Sequence, residues 1–230
     1  MGIRRQVLRE EVEELILQRL LESRWEPGAR LSIDGLARDL EVSPTPVREA
    51  LVSLERSGLV EYAALRGYVV ASPLDREHMA ELLEARRIVE TAALSKAFDD
   101  WEALSAALEA AHRQHTEVLE RIAAQGEQEM DFSLMNEHYQ ADWAFHQAFF
   151  DHAGNRYLRG MVENLRIYTH RMRQTWTGGP ASFDARTAYE EHARILEKVR
   201  HHHYDGALKA LEAHLSGVLE RSLAEAPQPE

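Results

Sequence analysis

The sequence predicts a mainly α-helical protein with two parts, a small N-terminal domain that contains one β-hairpin and a larger domain made of helices. Apolar residues recur at helical spacing through most of the chain. Two β-prone runs, LVEYAAL and GYVVAS, lie on either side of Arg66-Gly67, and Pro73 follows them. We therefore expect one domain over residues 1–72 and a second, all-helical domain over residues 75–226.

Composition limits the class of protein. The chain has 230 residues with 44% hydrophobic content, an ordinary value for a globular protein. No apolar run approaches the roughly 18 residues of a membrane span, and the start does not resemble a secretory signal. The absence of cysteine excludes disulfides and thiolate ligands. A metal site must therefore use histidines and carboxylates, and a reducing cytoplasm is the expected location.

The negative charge is concentrated in the second part of the chain. The net charge is −12, but residues 1–74 hold 10 arginines, no lysine and 12 acidic residues, a net charge of −2. A near-neutral N-terminal part can still present a local basic face to a polyanion.

The N-terminal part begins with an amphipathic helix over residues 6–23, which the following sequence EPG ends. Ser32 then caps a short helix, a three-residue turn follows, and a second helix runs from Pro44 to about Arg56. Two short helices joined by a tight turn are typical of a helix-turn-helix, and the hairpin after them is a candidate wing.

Two prolines indicate where the second of these helices begins. Proline is tolerated in the first helical turn, whose N–H groups have no carbonyl partner, so in VSPTPVREAL we expect Ser43 as the N-cap with Pro44 and Pro46 in the first turn. Thr45 and Arg48 then lie at the amino end, which enters the major groove in helix-turn-helix proteins. Arg48 is the candidate reader of bases or phosphates, although an arginine on a short amphipathic helix is also commonly a solvated surface residue.

The turn of the hairpin offers a second candidate contact with DNA. Arg66 beside Gly67 is placed to enter the minor groove. Arg-Gly is also a common turn sequence, so this signal is weak by itself.

The motifs PGARL, LARDLEVSPTPVREAL, GLV and RGYVV follow one another over residues 27–70. In this order they resemble the winged helix-turn-helix of GntR-type bacterial transcription regulators. Where some members carry further arginines this chain has Pro44 and Asp34, which predicts a changed operator sequence or a lower affinity for each half-site. The resemblance implies DNA binding by Ser43, Thr45, Arg48, Arg66 and Gly67.

The rest of the chain resembles a helical effector-binding domain. LLEARRIVETAAL, DWAFHQAFFDHAGNRYL, EEHARIL and ALKALEAHL occur in the order seen in the FCD domain of the FadR-like GntR subgroup. The expected fold is thus a winged helix-turn-helix followed by an all-α helical-bundle effector domain. Its helices are predicted at residues 75–98, 101–124, 130–152, 156–176, 184–202 and 205–224, with breaks at Gly126, Gly154-Asn155, Gly178-Gly179-Pro180 and Asp205-Gly206, and with EAPQPE as a frayed tail.

Four residues of this second part are candidate metal ligands. Asp142 and His146 lie four residues apart on one predicted helix, the spacing by which a helix offers two ligands to one ion. Such a pair is by itself more often a surface pair, and His192 and His214 taken singly are more often satisfied core histidines. The FCD resemblance implies that all four form one site of three histidines and one aspartate, which suits Zn²⁺, Ni²⁺, Mn²⁺ or Fe²⁺.

The resemblance also implies a small carboxylate or hydroxy-acid effector at open coordination positions of the ion, with Arg86 clamping its second acidic group. Arg86 adjoins Arg87, and one of the two must face solvent. We choose Arg86 because it lies four residues before Glu90, the spacing in the family. The tract His201–His203 is instead expected to lie in solvent at a helix end.

These features together indicate a homodimeric, metabolite-responsive transcription regulator that binds a two-fold symmetric operator in double-stranded DNA, and the resemblance suggests a repressor released by its effector.

The rival hypothesis is a metal-dependent enzyme, since a His₃Asp site with open coordination also activates water. No carboxylate base is placed as in HExxH and residues 1–74 would then have no purpose, so we do not expect catalysis. A helical scaffold that binds only protein leaves Arg48, Arg66 and the ligand set unexplained.

Overall fold

The computed structural model describes residues 2–21, 24–125, 132–165, 170 and 185–225, and it confirms the mainly α fold class. The first part contains α1 (Gly2–Leu21), α2 (Ile33–Asp39), α3 (Pro44–Ser57), β1 (Val60–Ala63) and β2 (Gly67–Val70). The second contains α4 (Arg76–Ala97), a 3₁₀ turn (Phe98–Asp100), α5 (Trp101–Gln125), α6 (Phe132–His152), α7 (Arg156–Leu165), α8 (Ala185–Arg200) and α9 (Tyr204–Glu225). The chain divides into two compact units between Pro73 and Leu74.

The first unit is a helix-turn-helix built on three helices. The Ser32 hydroxyl accepts a hydrogen bond from Gly35 N at 3.2 Å and so caps α2, as predicted. At the other end of the motif, Gly58 ends α3 in a left-handed conformation with φ of 83°. The apolar stripes of the three helices pack together into one core, whose buried members include Val12, Ile16, Leu20, Leu36, Val47, Leu51 and Leu54.

The start of α3 differs from the prediction in one detail. Ser43 is the N-cap residue and Pro44 begins the helix, but the Ser43 side chain makes no capping hydrogen bond. An N-cap hydroxyl normally accepts from the N–H of the second or third helical residue. The third is Pro46, which has no N–H, and the N–H of Thr45 at the second position does not donate to Ser43 either. The prolines therefore define the start of α3 by their backbone preference.

The wing is a short antiparallel hairpin held against the helix-turn-helix. Val60 pairs with Val70 and Ala63 with Gly67. The chain before α2 extends this pairing, because Leu31 N donates to Tyr68 O and Gly28 N donates to Val70 O, both at 2.8 Å. The hairpin is therefore supported along the backbone of β2.

The second unit is a helical bundle with a continuous apolar core. Asp75 caps α4 by accepting from His78 N at 2.9 Å. The core is formed by α4, α5, α6, α8 and α9, and its fully buried side chains include Leu94, Leu104, Leu108, Phe145, Phe149, Ile195 and Leu211. None of the described helices combines the length and the continuous apolar surface that a bilayer span requires.

The predicted helices agree with the observed ones to within about two residues at most ends that can be compared. The exception is α1, which begins at Gly2 and not at residue 6 as predicted. The predicted segment 156–176 matches α7 up to Leu165. Its remainder, the breaks at Gly126 and at residues 178–180, and the tail after Glu225 lie outside the described residues.

Candidate functional site

Three histidines from three helices meet in the core of the second unit. His146 comes from α6, His192 from α8 and His214 from α9, and all three side chains are fully buried. The Nε2 atom of His146 lies 3.1 Å from Nε2 of His192 and 3.2 Å from Nε2 of His214. The fold thus brings three imidazole rings together with the Nε2 atom of each directed inward. Their ligand atoms all lie within 4.8 Å of one another.

Two of the three rings are oriented by buried carboxylates. His146 Nδ1 lies 2.8 Å from Glu90 Oε2, and His214 Nδ1 lies 2.7 Å from Glu191 Oε2. Because a carboxylate only accepts hydrogen bonds, each Nδ1 carries the proton and donates. The Nε2 atoms of His146 and His214 then hold lone pairs when the rings are neutral, the form that binds a metal ion.

The lone pairs on these Nε2 atoms indicate whether the clustered histidines could bind a metal ion. Two Nε2 acceptors at 3.2 Å cannot hydrogen-bond to each other, and their lone pairs repel unless a cation lies between them. Burial lowers the pKa of His214 to about 4 although Glu191 opposes the change, so the ring is neutral near pH 7. Burial and the neighbouring His214 likewise hold the pKa of His192 well below its ordinary value. The arrangement fits a divalent cation.

Asp142 and His192 complete the candidate donor set. Asp142 is buried, and its Oδ1 lies 3.8 Å from His192 Nε2. The ring of His192 stacks flat on Phe145, with centroids 4.2 Å apart and planes within 3°. Its Nδ1 has no hydrogen-bond partner among the described residues, so packing and not a carboxylate fixes the orientation of this ring. Asp142 thus lies next to His192, but its carboxylate is not among the ligand atoms that all lie within 4.8 Å of one another.

Arg86 is buried beside this cluster, whereas Arg87 is exposed. Arg86 Nε donates to Glu90 Oε1 at 2.6 Å, and Glu90 thereby contacts both Arg86 and His146. Burial alone would raise the pKa of Glu90, but the charges and hydrogen bonds of Arg86 and His146 outweigh it and hold the pKa at about 2. The two terminal guanidinium nitrogens of Arg86 are buried without a hydrogen-bond partner among the described residues. They are donors available to an anion.

Sequence reasoning missed the residues that support the ligands. In the sequence Glu90 served only to distinguish Arg86 from Arg87. Glu191 was given no role, although it directly precedes His192. Arg221 donates to Glu191 from two nitrogens, at 2.9 and 3.2 Å, and so holds the carboxylate that orients His214. Its position two turns after His214 on α9 was the available signal.

A second pair of buried histidines also went unnoticed. His115 Nε2 lies 2.9 Å from His138 Nδ1, and the ring of His115 is 6.0 Å from that of His192. His138 precedes Asp142 by four residues and therefore shares its face of α6.

The tract His201–His203 is exposed as predicted, and the ring of His202 stacks on Trp101.

The candidate DNA-binding residues lie on the surface of the first unit. Ser43, Thr45 and Arg48 are exposed at the amino end of α3, next to the buried Val47. Gly67 adopts φ of 78°, a conformation that favours glycine, and follows Arg66 at the hairpin tip. The structure thus leaves the first turn of α3 accessible.

The wing and α3 approach each other on this surface. Burial and the nearby carboxylate of Glu55 raise the pKa of Tyr68 on β2, and Arg48 opposes this rise. Arg48 therefore lies within electrostatic reach of the wing. Pro44 and Asp34 are both exposed, so neither position adds positive charge to this surface.

Residues 8–70 match the gntR family of bacterial regulatory proteins, and residues 81–217 match the FCD domain. The chain is 31% identical over 211 residues to the HTH-type transcriptional regulator LutR of Bacillus subtilis, across 84% of this chain and 90% of LutR. It is 28% identical over 193 residues to the HTH-type transcriptional regulator YdhC of the same organism, across 84% of this chain and 80% of YdhC.

Solved structures show the same fold. A GntR regulator from Rhodococcus sp. RHA1 superposes with a TM-score of 0.66 at 20% identity, over 94% of this chain and 97% of that one. Lar, which controls the expression of the Listeria monocytogenes agr system, superposes with a TM-score of 0.61 at 19% identity, over 94% and 96%. With both domain families matched in order and curated relatives that regulate transcription, this chain belongs to the GntR family of DNA-binding transcription regulators, in the group with an FCD domain, and is not an enzyme.

Proposed function

We propose that this regulator represses transcription from a two-fold symmetric operator as a homodimer in the cytoplasm, and that a small organic acid releases it from DNA. Residues 1–72 bind one operator half-site in each subunit, with Arg48 as the main reader of DNA. Residues 75–226 hold a divalent metal ion and the effector. The observation that carries the effector half of this proposal is the pair of facing Nε2 lone pairs of His146 and His214.

His146, His192, His214 and Asp142 would hold the ion. Three imidazoles and one carboxylate suit Zn²⁺, Ni²⁺, Mn²⁺ or Fe²⁺, among which ligand type alone does not select. The bound ion would supply a positive charge that anchors an oxygen of the effector. Glu90 and Glu191 keep the Nδ1 protons of two ligands in place and so direct their lone pairs inward.

Arg86 supports the assignment of an acidic effector. Its Nε is bound by Glu90, while its two terminal nitrogens are buried without a hydrogen-bond partner among the described residues. A buried guanidinium that lacks acceptors is destabilising, and a carboxylate that accepts two parallel hydrogen bonds removes that cost. The effector would therefore present one acidic group to Arg86 and another oxygen to the ion.

Release from DNA follows from a shift between two populations. The effector must bind more tightly to the state in which the two DNA-binding units do not match the operator. A coupling of about 1–3 kcal/mol would change operator affinity roughly 5- to 150-fold.

The test is selection of random-sequence duplex DNA by the full-length protein at moderate, fixed salt. Wild type should enrich a two-fold symmetric site, and Arg48→Ala should lose that enrichment. Arg56→Ala is the matched control, because Arg56 is an exposed arginine at the far end of the same helix. If wild type enriches no sequence with or without added metal, or if Arg48→Ala enriches the same site equally well, the proposed operator recognition is wrong.

A further inference from the structure

A surface cavity of about 420 Å³ lies between α5 and α8, the helix that carries His192. Leu119 and Ile122 line its α5 side, and Tyr189 lines its α8 side. Tyr189 precedes His192 by three residues, so both side chains lie on one face of α8. Tyr189 is half-buried, while His192 is fully buried. The cavity therefore reaches a side chain that lies one helical turn from a candidate metal ligand.

Two rings lie in series between this cavity and His192. The ring of Tyr189 packs edge-on against that of His115, with centroids 5.7 Å apart and planes at 85°. The ring of His115 is in turn 6.0 Å from that of His192. His115 is fully buried, whereas Tyr189 borders the cavity. Tyr189 is thus the outer of the two rings and shields His115 from the cavity.

Tyr189 is held in this position by two contacts with α5. Its ring stacks on that of His112, with centroids 4.1 Å apart and planes within 11°. Its hydroxyl lies 3.0 Å from Thr116 Oγ1. The Thr116 hydroxyl donates its own proton to His112 O at 3.0 Å, so Tyr189 is the donor to Thr116. One stacked pair and one neutral hydrogen bond are modest interactions, so the tyrosine side chain can move away without unfolding a helix.

The charge at the mouth of the cavity favours a cation. Exposed carboxylates of Glu120 and Glu190 line it, and Arg186 pairs with Glu190 Oε1 at 3.2 Å. Two carboxylates and one guanidinium give the described lining residues a net charge of −1. A negative entrance raises the local concentration of cations and disfavours anions. The cavity therefore suits a metal ion better than an acidic effector.

We propose that Tyr189 is a gate through which a divalent metal ion passes between this cavity and the buried histidines. The gate is closed while Tyr189 donates to Thr116 and covers His115. It opens when this hydrogen bond breaks and the ring moves into the cavity, which gives the ion a path past His115 to His192. Tyr189 does not bind the ion at its final site, so it controls the rates of uptake and release and not the affinity. This inference rests on the metal-binding part of the proposed function.

The test measures the rate at which Zn²⁺ leaves the loaded full-length protein after excess chelator is added by stopped flow. Tyr189→Phe keeps the ring but removes the donor, and Thr116→Val removes the acceptor. Each should speed release about fivefold, which corresponds to roughly 1 kcal/mol, the net contribution of one hydrogen bond. Tyr189→Ala also removes the ring and should speed release further. In every variant the Kd from equilibrium competition should stay unchanged, because uptake and release accelerate by the same factor.

Two controls separate a gate from a general loss of stability. Tyr157→Phe alters an exposed tyrosine on α7 and should release Zn²⁺ like wild type. Leu104→Ala empties a fully buried position of the same bundle outside the cavity lining, so it should destabilise the protein without speeding release as Tyr189→Ala does. If Leu104→Ala releases Zn²⁺ as fast as Tyr189→Ala, the ion leaves through unfolding and the gate does not exist.

The remaining outcomes distinguish the gate from the metal site itself. If wild type binds Zn²⁺ and Tyr189→Ala releases it at the wild-type rate, the gate is overturned while the metal site stands. Faster release that is matched by an equal rise in Kd would also overturn the gate, because Tyr189 would then support the bound state. If wild type binds no Zn²⁺, the metal-binding part of the proposed function and the gate are both wrong.

Discussion

Replacing Glu90 by glutamine tests whether one buried carboxylate supports both the metal ligand and the effector-binding arginine. Glu90 Oε1 accepts from Arg86 Nε at 2.6 Å and Oε2 accepts from His146 Nδ1 at 2.8 Å, and all three side chains are fully buried. Glutamine keeps the size of the side chain but has a single accepting oxygen. Its amide nitrogen faces one of the two donors, so either Arg86 or His146 loses its acceptor.

The expected magnitude follows from the interactions of Glu90. Burial acts to raise its pKa, but Arg86 and His146 lower it from 4.5 to about 2. At roughly 1.4 kcal/mol for each pKa unit, the ionised carboxylate contributes on the order of 3 kcal/mol to the free energy of unfolding near pH 7. Because the pKa is lowered in the folded state, this contribution is present above pH 4.5 and disappears as the pH falls towards 2.

We therefore expect Glu90→Gln to lower the unfolding free energy of the metal-free protein by about 3 kcal/mol, in the range seen when one partner of a buried ion pair is removed. Zn²⁺ affinity should fall about 10- to 100-fold, because His146 loses the partner that fixes its tautomer. Urea unfolding in EDTA measures the first quantity, and competition with a chromophoric chelator measures the second. Glu84→Gln, at an exposed glutamate of the same helix, is the control. If the two variants behave alike in both assays, the interactions assigned to Glu90 do not exist.

Three further outcomes are expected. Adding Zn²⁺ at about 100 times its dissociation constant should stabilise wild type by roughly 2.7 kcal/mol in thermal unfolding; His214→Ala should lose this response and the exposed His201→Ala should keep it. Arg86→Gln should still bind Zn²⁺ in the chelator assay, but small mono- and dicarboxylates should no longer release this variant from DNA. Arg87→Gln, at the exposed neighbouring residue, should respond to the same carboxylates like wild type. If Arg86→Gln also responds like wild type, Arg86 is not part of the effector site. Leu51→Ala should destabilise the first unit by about 2–5 kcal/mol, because Leu51 is fully buried between the helices, and a smaller loss in urea unfolding would show that this core is loosely packed.

The local features of the fold could be predicted from the sequence where one residue dominates the backbone. Pro44 and Pro46 indicated where α3 begins, and the strand pair on either side of Arg66-Gly67 forms as expected. Ser43 is the N-cap residue as predicted, but its side chain makes no capping hydrogen bond. The backbone preference of proline therefore predicted where α3 begins, but not how the N–H groups of its first turn are hydrogen-bonded.

The candidate metal centre could be predicted only in part. Asp142 and His146 share one helix, and their spacing is visible in the sequence. His192 and His214 lie on two other helices, so only the family resemblance connected them. Glu191 orients His214 across 23 residues of chain, an interaction that depends on how two helices pack and leaves no periodic signal. Sequence patterns predict which residues share one face of a helix, but not which residues of other helices pack against that face.

The pair of Glu191 and Arg221 also restricts which residue α9 can carry at one interior position. A Cβ added to Gly217 would lie 2.9 Å from Arg221 Nη1 and 3.1 Å from Glu191 Oε1. Alanine would favour the helix by about 1 kcal/mol, yet it would push the two ion-paired side chains apart. Residue size at position 217 and the arrangement of the charges at positions 191 and 221 should therefore vary together among related regulators: where a larger side chain replaces Gly217, the ends of the two charged side chains must shift or one of them must be replaced.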